Sequence, residues 1–289
     1  MKTVMTSRTA PIPLLAALFL TLSACQPADE GHSKAIIGAV LIDGAGGPPL
    51  ADSVVIISLG RVQWTGPRTA ADIPPGADKI DGSGKYLVPA LVDADKSAGP
   101  QTNFATPEDA RRQIAAMQAH KPEAIHIFAA NTPRPVLDAA LEAARNAEIP
   151  ITGHFSTEAE ARILVDGGAT RLVGMIRDTD KLDDALVSKM RDLRIVVAPA
   201  LSSQPASDIA RRNTHRLFAA GVPMAVASCG GDLVHEAELM VDSGIPTLDV
   251  IVAATRGGGI LPGKPADMLL LSANPGQDIA NLRKTVKLW

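Results

Sequence analysis

Aromatic residues are scarce in this chain of 289 residues, since five Phe, two Trp and one Tyr make up only 3% of it. Proteins that bind single-stranded nucleic acid or sugar chains along an extended surface use several aromatic side chains for stacking. The composition therefore excludes a long stacking surface. It also predicts an aliphatic core rich in Ala, Val, Leu and Ile, because 46% of the residues are hydrophobic.

An excess of basic residues is also missing, because 28 Lys and Arg stand against 31 Asp and Glu and give a formal net charge of -3. Affinity for nucleic acid depends on contacts between basic side chains and phosphates, so this balance predicts no nucleic-acid partner. The length and apolar fraction suffice for one barrel-sized domain or two smaller ones. They exclude a chain that is disordered throughout.

Near the N-terminus an apolar run from Ile12 to Leu22 follows Lys2 and Arg8. This run is too short to span a membrane. A basic segment, an apolar segment and then small residues are typical of a secretory signal peptide, which we place at residues 1–24.

The last residues of that segment, Leu22-Ser23-Ala24-Cys25, resemble the bacterial lipobox. The resemblance implies that Cys25 is lipidated and begins the mature chain, tethered by residues 25–33. Gln26 after the cysteine implies a lipid anchor in the outer membrane of the cell envelope, facing the periplasm. The alternative is a cleaved signal for soluble secretion in which Cys25 is incidental.

Cysteine is rare as well, with only two in the sequence. If Cys25 carries lipid, Cys229 is the one remaining thiol, which excludes an intrachain disulfide. A lone thiol in an oxidising compartment is either buried or functional.

Hydrophobic periodicity changes along the mature chain. Short alternating segments separated by turn-rich stretches from Lys34 to Lys85 predict a small β unit. From Tyr86 onward, apolar runs alternate with helical patterns, which is typical of βα units and a parallel sheet. Strands are predicted near 86–94, 124–130, 151–155, 171–176, 194–200 and 223–228. Helices are predicted from Thr106 and Ser156-Thr157 onward and at 133–147, 181–193, 207–220, 232–243 and 247–256.

Two sets of motifs lie near the two ends of the chain. The N-terminal set is LIDGAGGPP at 41–49, IPPGADKIDGSGK at 73–85 and VPALVD at 88–93, and the C-terminal set is AAT at 253–255, LPGKPADMLLL at 261–271 and Asn274-Pro275. Together they resemble the amidohydrolase superfamily, and within it the imidazolonepropionase-like and prolidase-like branch.

The resemblance implies an α/β fold: a metallo-dependent hydrolase TIM-like (β/α) barrel plus a small composite β-sandwich from both chain ends. We assign residues 34–85 and 264–289 to the sandwich and residues 86–263 to the barrel. Only 28 residues, 96–123, separate Asp95 from Ala124, so the family's second and third βα units find no match. The barrel is therefore expected to be shortened, degenerate or open, because strand number, tilt and shear are linked.

Most of the family's metal ligands are replaced. The family's first strand ends in P-G-L-I-D-x-H-x-H, whereas Asp95 and Ser97 stand at the two histidine positions here. The fourth-strand lysine is matched by His126, and the fifth-strand histidine is retained as His154.

At the two remaining positions the sixth-strand histidine aligns with Gly174, and the eighth-strand aspartate, the proton acceptor, aligns with Cys229. Serine is a weak ligand and glycine has no side chain, so these positions predict no binuclear metal centre.

Asp95, His126, His154 and Cys229 are the candidate ligands for a single zinc ion, because carboxylate, imidazole and thiolate suit that metal. The alternative is a vestigial pocket with two hydrogen-bonded histidines. Cys229 is also a candidate nucleophile with His154 as its base, against the simpler interpretation of a small buried thiol.

The loss of ligands and of the proton acceptor together favours a catalytically degenerate envelope lipoprotein that keeps a scaffold or a pocket for a small-molecule ligand. On this interpretation no cofactor is bound. The alternative is an active hydrolase of C–N bonds in an amide, cyclic amide or dipeptide with a rebuilt single-zinc site. Fold alone does not decide between them.

Overall fold

The computed structural model describes residues 33–95, 102–203, 207–255 and 258–289. The predicted signal peptide, Cys25 and nearly all of the tether lie outside the described residues. Within them, no helix is both long and apolar enough to cross a membrane.

Strands from both parts of the chain form one mixed sheet. The strands are β1 (Lys34–Leu41), β2 (Leu50–Ser58), β3 (Arg61–Pro67), β4 (Asp78–Asp81), β5 (Tyr86–Pro89), β10 (Met268–Leu271) and β11 (Thr285–Leu288). They follow the order β11-β10-β5-β1-β2-β3, and β4 also pairs with β1. Leu270 of β10 is paired with Leu87 of β5, so the C-terminal segment adds directly to the N-terminal strands.

This sheet has its own hydrophobic core, in which side chains from the two chain ends are packed together. Ile36 and Val55 from the first strands are buried against Leu87 of β5 and against Met268 and Leu270 of β10. Strand β5 therefore belongs to this sheet, although the sequence placed residue 86 at the start of the barrel.

A second sheet is parallel, with the strand order β6-β7-β8-β9. Its strands are β6 (Ile125–Phe128), β7 (Ile151–Phe155), β8 (Arg171–Gly174) and β9 (Val196–Ala198), and the connecting helices are α2 (Arg134–Asn146), α3 (Glu158–Asp166) and α4 (Asp184–Asp192). Helix α1 (Pro107–Gln118) precedes β6, and α5 (Asp208–Ala219), α6 (Leu233–Asp242) and α7 (Thr247–Ala254) follow β9. The predicted α/β class with parallel βα units is confirmed.

Two of the predicted helix starts have the expected caps. The Thr106 hydroxyl accepts a hydrogen bond from the backbone N–H of Asp109 at the start of α1. At the start of α3, Thr157 and Glu160 form a reciprocal capping box. These caps satisfy backbone donors that the first helical turn leaves unpaired.

The predicted strand at 223–228 is not a regular strand; Met224 forms only an isolated parallel bridge with Val197. One cause is Pro223, which has no N–H to donate to a ladder. The segment still lies next to β9, because the Ala225 N–H donates to the Val197 carbonyl at 2.9 Å. On its other side, the Ala94 N–H donates to the Val226 carbonyl at 2.9 Å, which brings the chain after β5 to the parallel sheet.

The two faces of the parallel sheet have different chemistry. Alternate residues of each strand point to opposite faces. The outer face is aliphatic and is packed against the helices through Ile125, Ile127, Ile151, Leu172 and Val197. The inner face presents His126, Thr152, His154, Arg171, Val173 and Ala198.

Candidate metal-binding site

Three of the predicted ligands meet on the inner face. Asp95 lies in the segment that follows β5, His126 is in β6 and His154 is in the neighbouring strand β7. One ligand atom from each side chain lies within 4.8 Å of the other two. The register of β6 and β7 produces this arrangement, since it pairs His126 with Thr152 and Phe128 with His154 on one face.

The distances within this triad fit one small divalent cation. His126 Nδ1 lies 3.7 Å and His154 Nε2 lies 3.6 Å from Asp95 Oδ1. Ligand atoms around tetrahedral zinc, with bonds of about 2.0–2.2 Å, are separated by about 3.4 Å. The two nitrogens are closer, at 2.6 Å, which is a hydrogen bond between the imidazoles. If the two nitrogens moved apart by less than about 1 Å, to about 3.4 Å, both would be placed to bind the same zinc ion.

Both imidazoles are held in the neutral form that a metal ligand needs. Burial, followed by the proximity of His126, lowers the pKa of His154 to about 4. Burial also lowers the pKa of His126, where Asp95 opposes the shift and Arg171 adds to it. Neutral imidazoles keep a lone pair available at pH 7, so metal binding at the triad needs no deprotonation of either ring.

Two residues that sequence reasoning missed hold the histidines in place. The Phe128 ring stacks on the His154 ring with a centroid distance of 4.1 Å and an interplanar angle of 16°. The Thr102 hydroxyl and backbone N–H both donate to the carbonyl of His126. Phe128 follows His126 at a spacing of two in a strand, which is the signal that could have identified it.

Asp93 orients the third ligand. Its carboxylate accepts from the backbone N–H of Asp95 at 3.0 Å and from the backbone N–H of Ser228 at 3.2 Å. The Ser228 hydroxyl donates to the same carboxylate at 2.5 Å. Asp93 therefore ties the segment carrying Asp95 to the segment that precedes Cys229.

Cys229 lies in the same mouth but outside the three-ligand cluster found among the described residues. It is a free cysteine that is exposed as a residue, so its interpretation as a small buried core residue is wrong, and only its Sγ is partly desolvated by neighbouring groups. Loss of hydration around the thiol, followed by the negative charges of Asp95, Glu236 and Asp93, raises its pKa to about 12. The thiol is therefore protonated at neutral pH in the metal-free protein, which disfavours nucleophilic attack.

Gly174, at the position of the family's sixth-strand histidine, has a backbone conformation that leaves no room for a side chain. Its φ is +122°, and a Cβ atom there would lie 2.1 Å from the carbonyl oxygen of Phe155. The structure therefore excludes a ligand at this position without movement of the backbone.

A pocket of about 250 Å³ opens beside the triad. It is lined by Phe128, Ala130, Asn131, His154, Phe155, Ser156, Val173, Gly174, Ala200, Ser203 and Cys229. Two of its lining residues, Ala200 and Cys229, have positive φ values of 50° and 46°. Such conformations are costly for residues other than glycine and cluster at functional sites.

The fully buried carboxylate of Glu236 holds one wall of this pocket. It accepts hydrogen bonds from the backbone N–H groups of Leu201 and Ser202, the latter at 2.8 Å. Arg177 contacts the same loop, since its Nη2 lies 3.4 Å from the carbonyl oxygen of Ala200. No local sequence pattern identifies this role, because Glu236 lies in the first turn of a helix, where an acidic residue is common.

The fold is similar to those of several solved hydrolases. Molinate hydrolase matches with a TM-score of 0.74 at 16% identity, over 90% of this chain and 93% of that chain. The ochratoxinase of A. niger matches with a TM-score of 0.73 at 15% identity, over 90% and 95% of the two chains. A Xaa-Pro dipeptidase with methionine bound in its active site matches with a TM-score of 0.71 at 13% identity, over 89% and 98%.

These neighbours confirm an amidohydrolase-like fold, which the motifs at the two ends of the sequence predicted. At such low identities the similarity establishes the fold alone. No family model matches the sequence, and no curated protein matches it.

Proposed function

We propose that this amidohydrolase-like chain is a single-metal hydrolase that cleaves a C–N bond in a small amide, cyclic amide or dipeptide. One observation carries the proposal: Asp95, His126 and His154 place their ligand atoms within 4.8 Å of one another beside a pocket. Their chemistry suits zinc. With three protein ligands, tetrahedral zinc keeps a fourth position for water or substrate, as in catalytic sites.

When bound, zinc supplies a Lewis acid that lowers the pKa of water and polarises a carbonyl group. The chain's own residues prepare the site. Asp95 contributes a negative charge, and the two neutral imidazoles contribute lone pairs without a proton loss. The stacked Phe128 ring fixes the orientation of His154 and shields one of its faces from water.

The position of Cys229 favours the hydrolase among the two functions that the sequence left open. A zinc ion closed by four protein ligands would resemble a structural site. Because Cys229 lies outside the cluster of three, the triad supports an open site instead.

A second candidate is a catalytically degenerate protein that uses the same metal and pocket to bind a small-molecule ligand without hydrolysis. It is favoured by Cys229, which stands where the family has its proton acceptor and whose pKa of about 12 makes it a poor base at neutral pH. General base catalysis needs a group whose pKa is near the working pH.

Metal analysis and a hydrolysis screen on the same samples distinguish these candidates. The wild type is expected to bind one zinc equivalent and to hydrolyse at least one amide, cyclic amide or dipeptide. His154→Ala should lose both properties, whereas replacement of the exposed His120 by Ala should lose neither. One bound zinc without turnover would select the degenerate protein, and a wild type without metal would contradict both candidates.

We also propose that the mature chain is anchored by lipid at Cys25 and faces the periplasm from the outer membrane. The support is the basic segment, the apolar run and the sequence Leu22-Ser23-Ala24-Cys25. Cys25→Ser should move the protein from the membrane fraction to the soluble fraction. A wild type that is soluble and carries no acyl chain would contradict this proposal.

A further inference from the structure

We infer that Thr152 is a positioning residue for the metal ligand His126. The inference rests on the proposed metal site and extends it by one residue. Thr152 on β7 is the register partner of His126 on β6, so the two side chains are neighbours on the inner face. His126 is 1% exposed and Thr152 is 0% exposed, which removes both from bulk water.

The His126 ring uses only one of its nitrogens toward the triad. Nδ1 lies 2.6 Å from His154 Nε2 and 3.7 Å from Asp95 Oδ1. Nε2, on the far side of the ring, is buried and finds no hydrogen-bond partner among the described residues. Metal-ligating histidines nearly always donate their second N–H to a nearby acceptor, which fixes the tautomer and the ring orientation.

The Thr152 hydroxyl is the second buried polar group of this kind, at the register position paired with His126. Its Oγ1 is also buried and without a hydrogen-bond partner in the described parts of the chain. An unsatisfied buried polar atom costs about 1–3 kcal/mol. Two such atoms at one register position are satisfied together if they bond to each other directly or through one bridging water.

A hydroxyl suits His126 because it can both donate and accept. In the imidazole pair, the tautomer in which His126 Nδ1–H donates to His154 leaves a lone pair on Nε2, and the Thr152 hydroxyl would donate to it after a small side-chain shift or through a bridging water. When His126 Nδ1 coordinates a metal, the proton is on Nε2, and the same hydroxyl oxygen accepts it. Thr152 therefore supports the ring in both states by rotation of one O–H bond.

The simpler interpretation is that Thr152 is a β-branched core residue whose hydroxyl does nothing. The two interpretations predict opposite results for the nearly isosteric change Thr152→Val. Removal of an idle, unsatisfied hydroxyl leaves metal affinity unchanged and is neutral or stabilising for the fold. Removal of a hydroxyl that orients His126 weakens metal binding, because loss of such a partner typically costs about 10–100-fold in affinity.

The experiment measures zinc affinity by competition with a chromophoric chelator for the wild type, Thr152→Val and Thr152→Ser. Thr152→Val is expected to lose about tenfold or more, and Thr152→Ser, which keeps the hydroxyl, should stay closer to the wild type than to the valine variant. Equal affinities for the wild type and Thr152→Val would overturn the inference. Equal losses for the valine and serine variants would overturn it as well, since they would indicate packing.

Nitrogen-15 NMR of His126 in the zinc-loaded wild type gives a second readout, which needs no variant to fold. The proton is expected on Nε2, and a proton on Nδ1 would contradict metal coordination through Nδ1, on which the inference rests. The failures remain distinguishable: a wild type that binds no zinc overturns the proposed metal site, whereas zinc binding that ignores the Thr152 hydroxyl overturns only the role of Thr152.

Discussion

The two faces of the parallel sheet are built from the same four strands but have different roles. On the outer face, Ile127 and Leu172 are fully buried against the helices. On the inner face, one residue away in each strand, His126 and His154 meet Asp95, and Val173 is packed against small alanine side chains. The outer face therefore supplies hydrophobic stability, and the inner face supplies a polar site that needs only the folded sheet beneath it.

The largest expected effect is a loss of folding stability caused by a substitution on the outer face. Leu172→Ala on the outer face should lower the free energy of unfolding by about 2–5 kcal/mol, because it leaves a cavity in a close-packed core. Urea-induced unfolding measures this loss. The folded variant should still bind one zinc equivalent. A folded Leu172→Ala protein with no metal affinity would show that the two faces are not independent.

The second expected effect is a loss of folding stability at acidic pH, which arises from His154 on the inner face. His154 has a lowered pKa of about 4, so between about pH 6.5 and 4 its imidazole is protonated in the unfolded chain but stays neutral in the folded chain. Above about pH 6.5, the free energy of unfolding of the metal-free protein should therefore not depend on the protonation of His154. Below that pH, the free energy of unfolding should fall by about 3 kcal/mol as the pH drops toward 4.

The measurement is the free energy of unfolding against pH for the wild type and for His154→Gln. The difference between the two profiles isolates His154 from the carboxylates that titrate nearby. The matched variant His120→Gln, at an exposed histidine outside the triad, is the control for the His-to-Gln change itself. Parallel profiles for the wild type and His154→Gln would contradict the burial argument.

A third test concerns the backbone at the end of β8. Gly174→Ala should cost about 2–3 kcal/mol in the free energy of unfolding, because the new Cβ would lie 2.1 Å from the Phe155 carbonyl oxygen at a φ of +122°. Gly84→Ala is the control, since its φ is also positive at +69° but nothing lies within 4 Å of the new atom. That variant should lose about 1 kcal/mol. Equal losses would mean that Gly174 is required only for its backbone angle.

The smallest expected effect is at Cys229. Because this thiol lies outside the three-ligand cluster, Cys229→Ser should change zinc affinity by less than about twofold, or about 0.4 kcal/mol. The same chelator competition that measures the Thr152 variants detects this difference. A loss as large as that caused by His154→Ala would restore Cys229 as a ligand.

The sequence predicted the fold well because its signals are local or are carried by motifs. Continuous apolar runs between helical patterns located β6 to β9, and the Thr106 and Thr157 caps marked two helix starts. The segments 41–49 and 261–271 indicated an amidohydrolase-like fold. The strand at 223–228 was predicted from apolar character alone, which cannot reveal that Pro223 and a single bridge leave its ladder incomplete.

The site was only partly predictable, because convergence depends on strand register. The sequence identified Asp95, His126, His154 and Cys229 as candidates, and the structure brings the first three together. The roles of Asp93 and Glu236 depend on hydrogen bonds to residues distant in sequence, at Ser228 and at 201–202, which no local pattern encodes. Sequence reasoning also had no means to see that Thr152 is the register partner of His126.

The central claim is that the inner face binds one metal ion through one carboxylate and two imidazoles. X-ray absorption at the zinc edge of the zinc-loaded wild type tests it most directly, because it reports the ligand atoms themselves. We predict only nitrogen and oxygen neighbours at about 2.0–2.2 Å, with the multiple-scattering signature of two imidazoles. A sulfur neighbour at about 2.3 Å, or fewer than two imidazoles, would contradict the account.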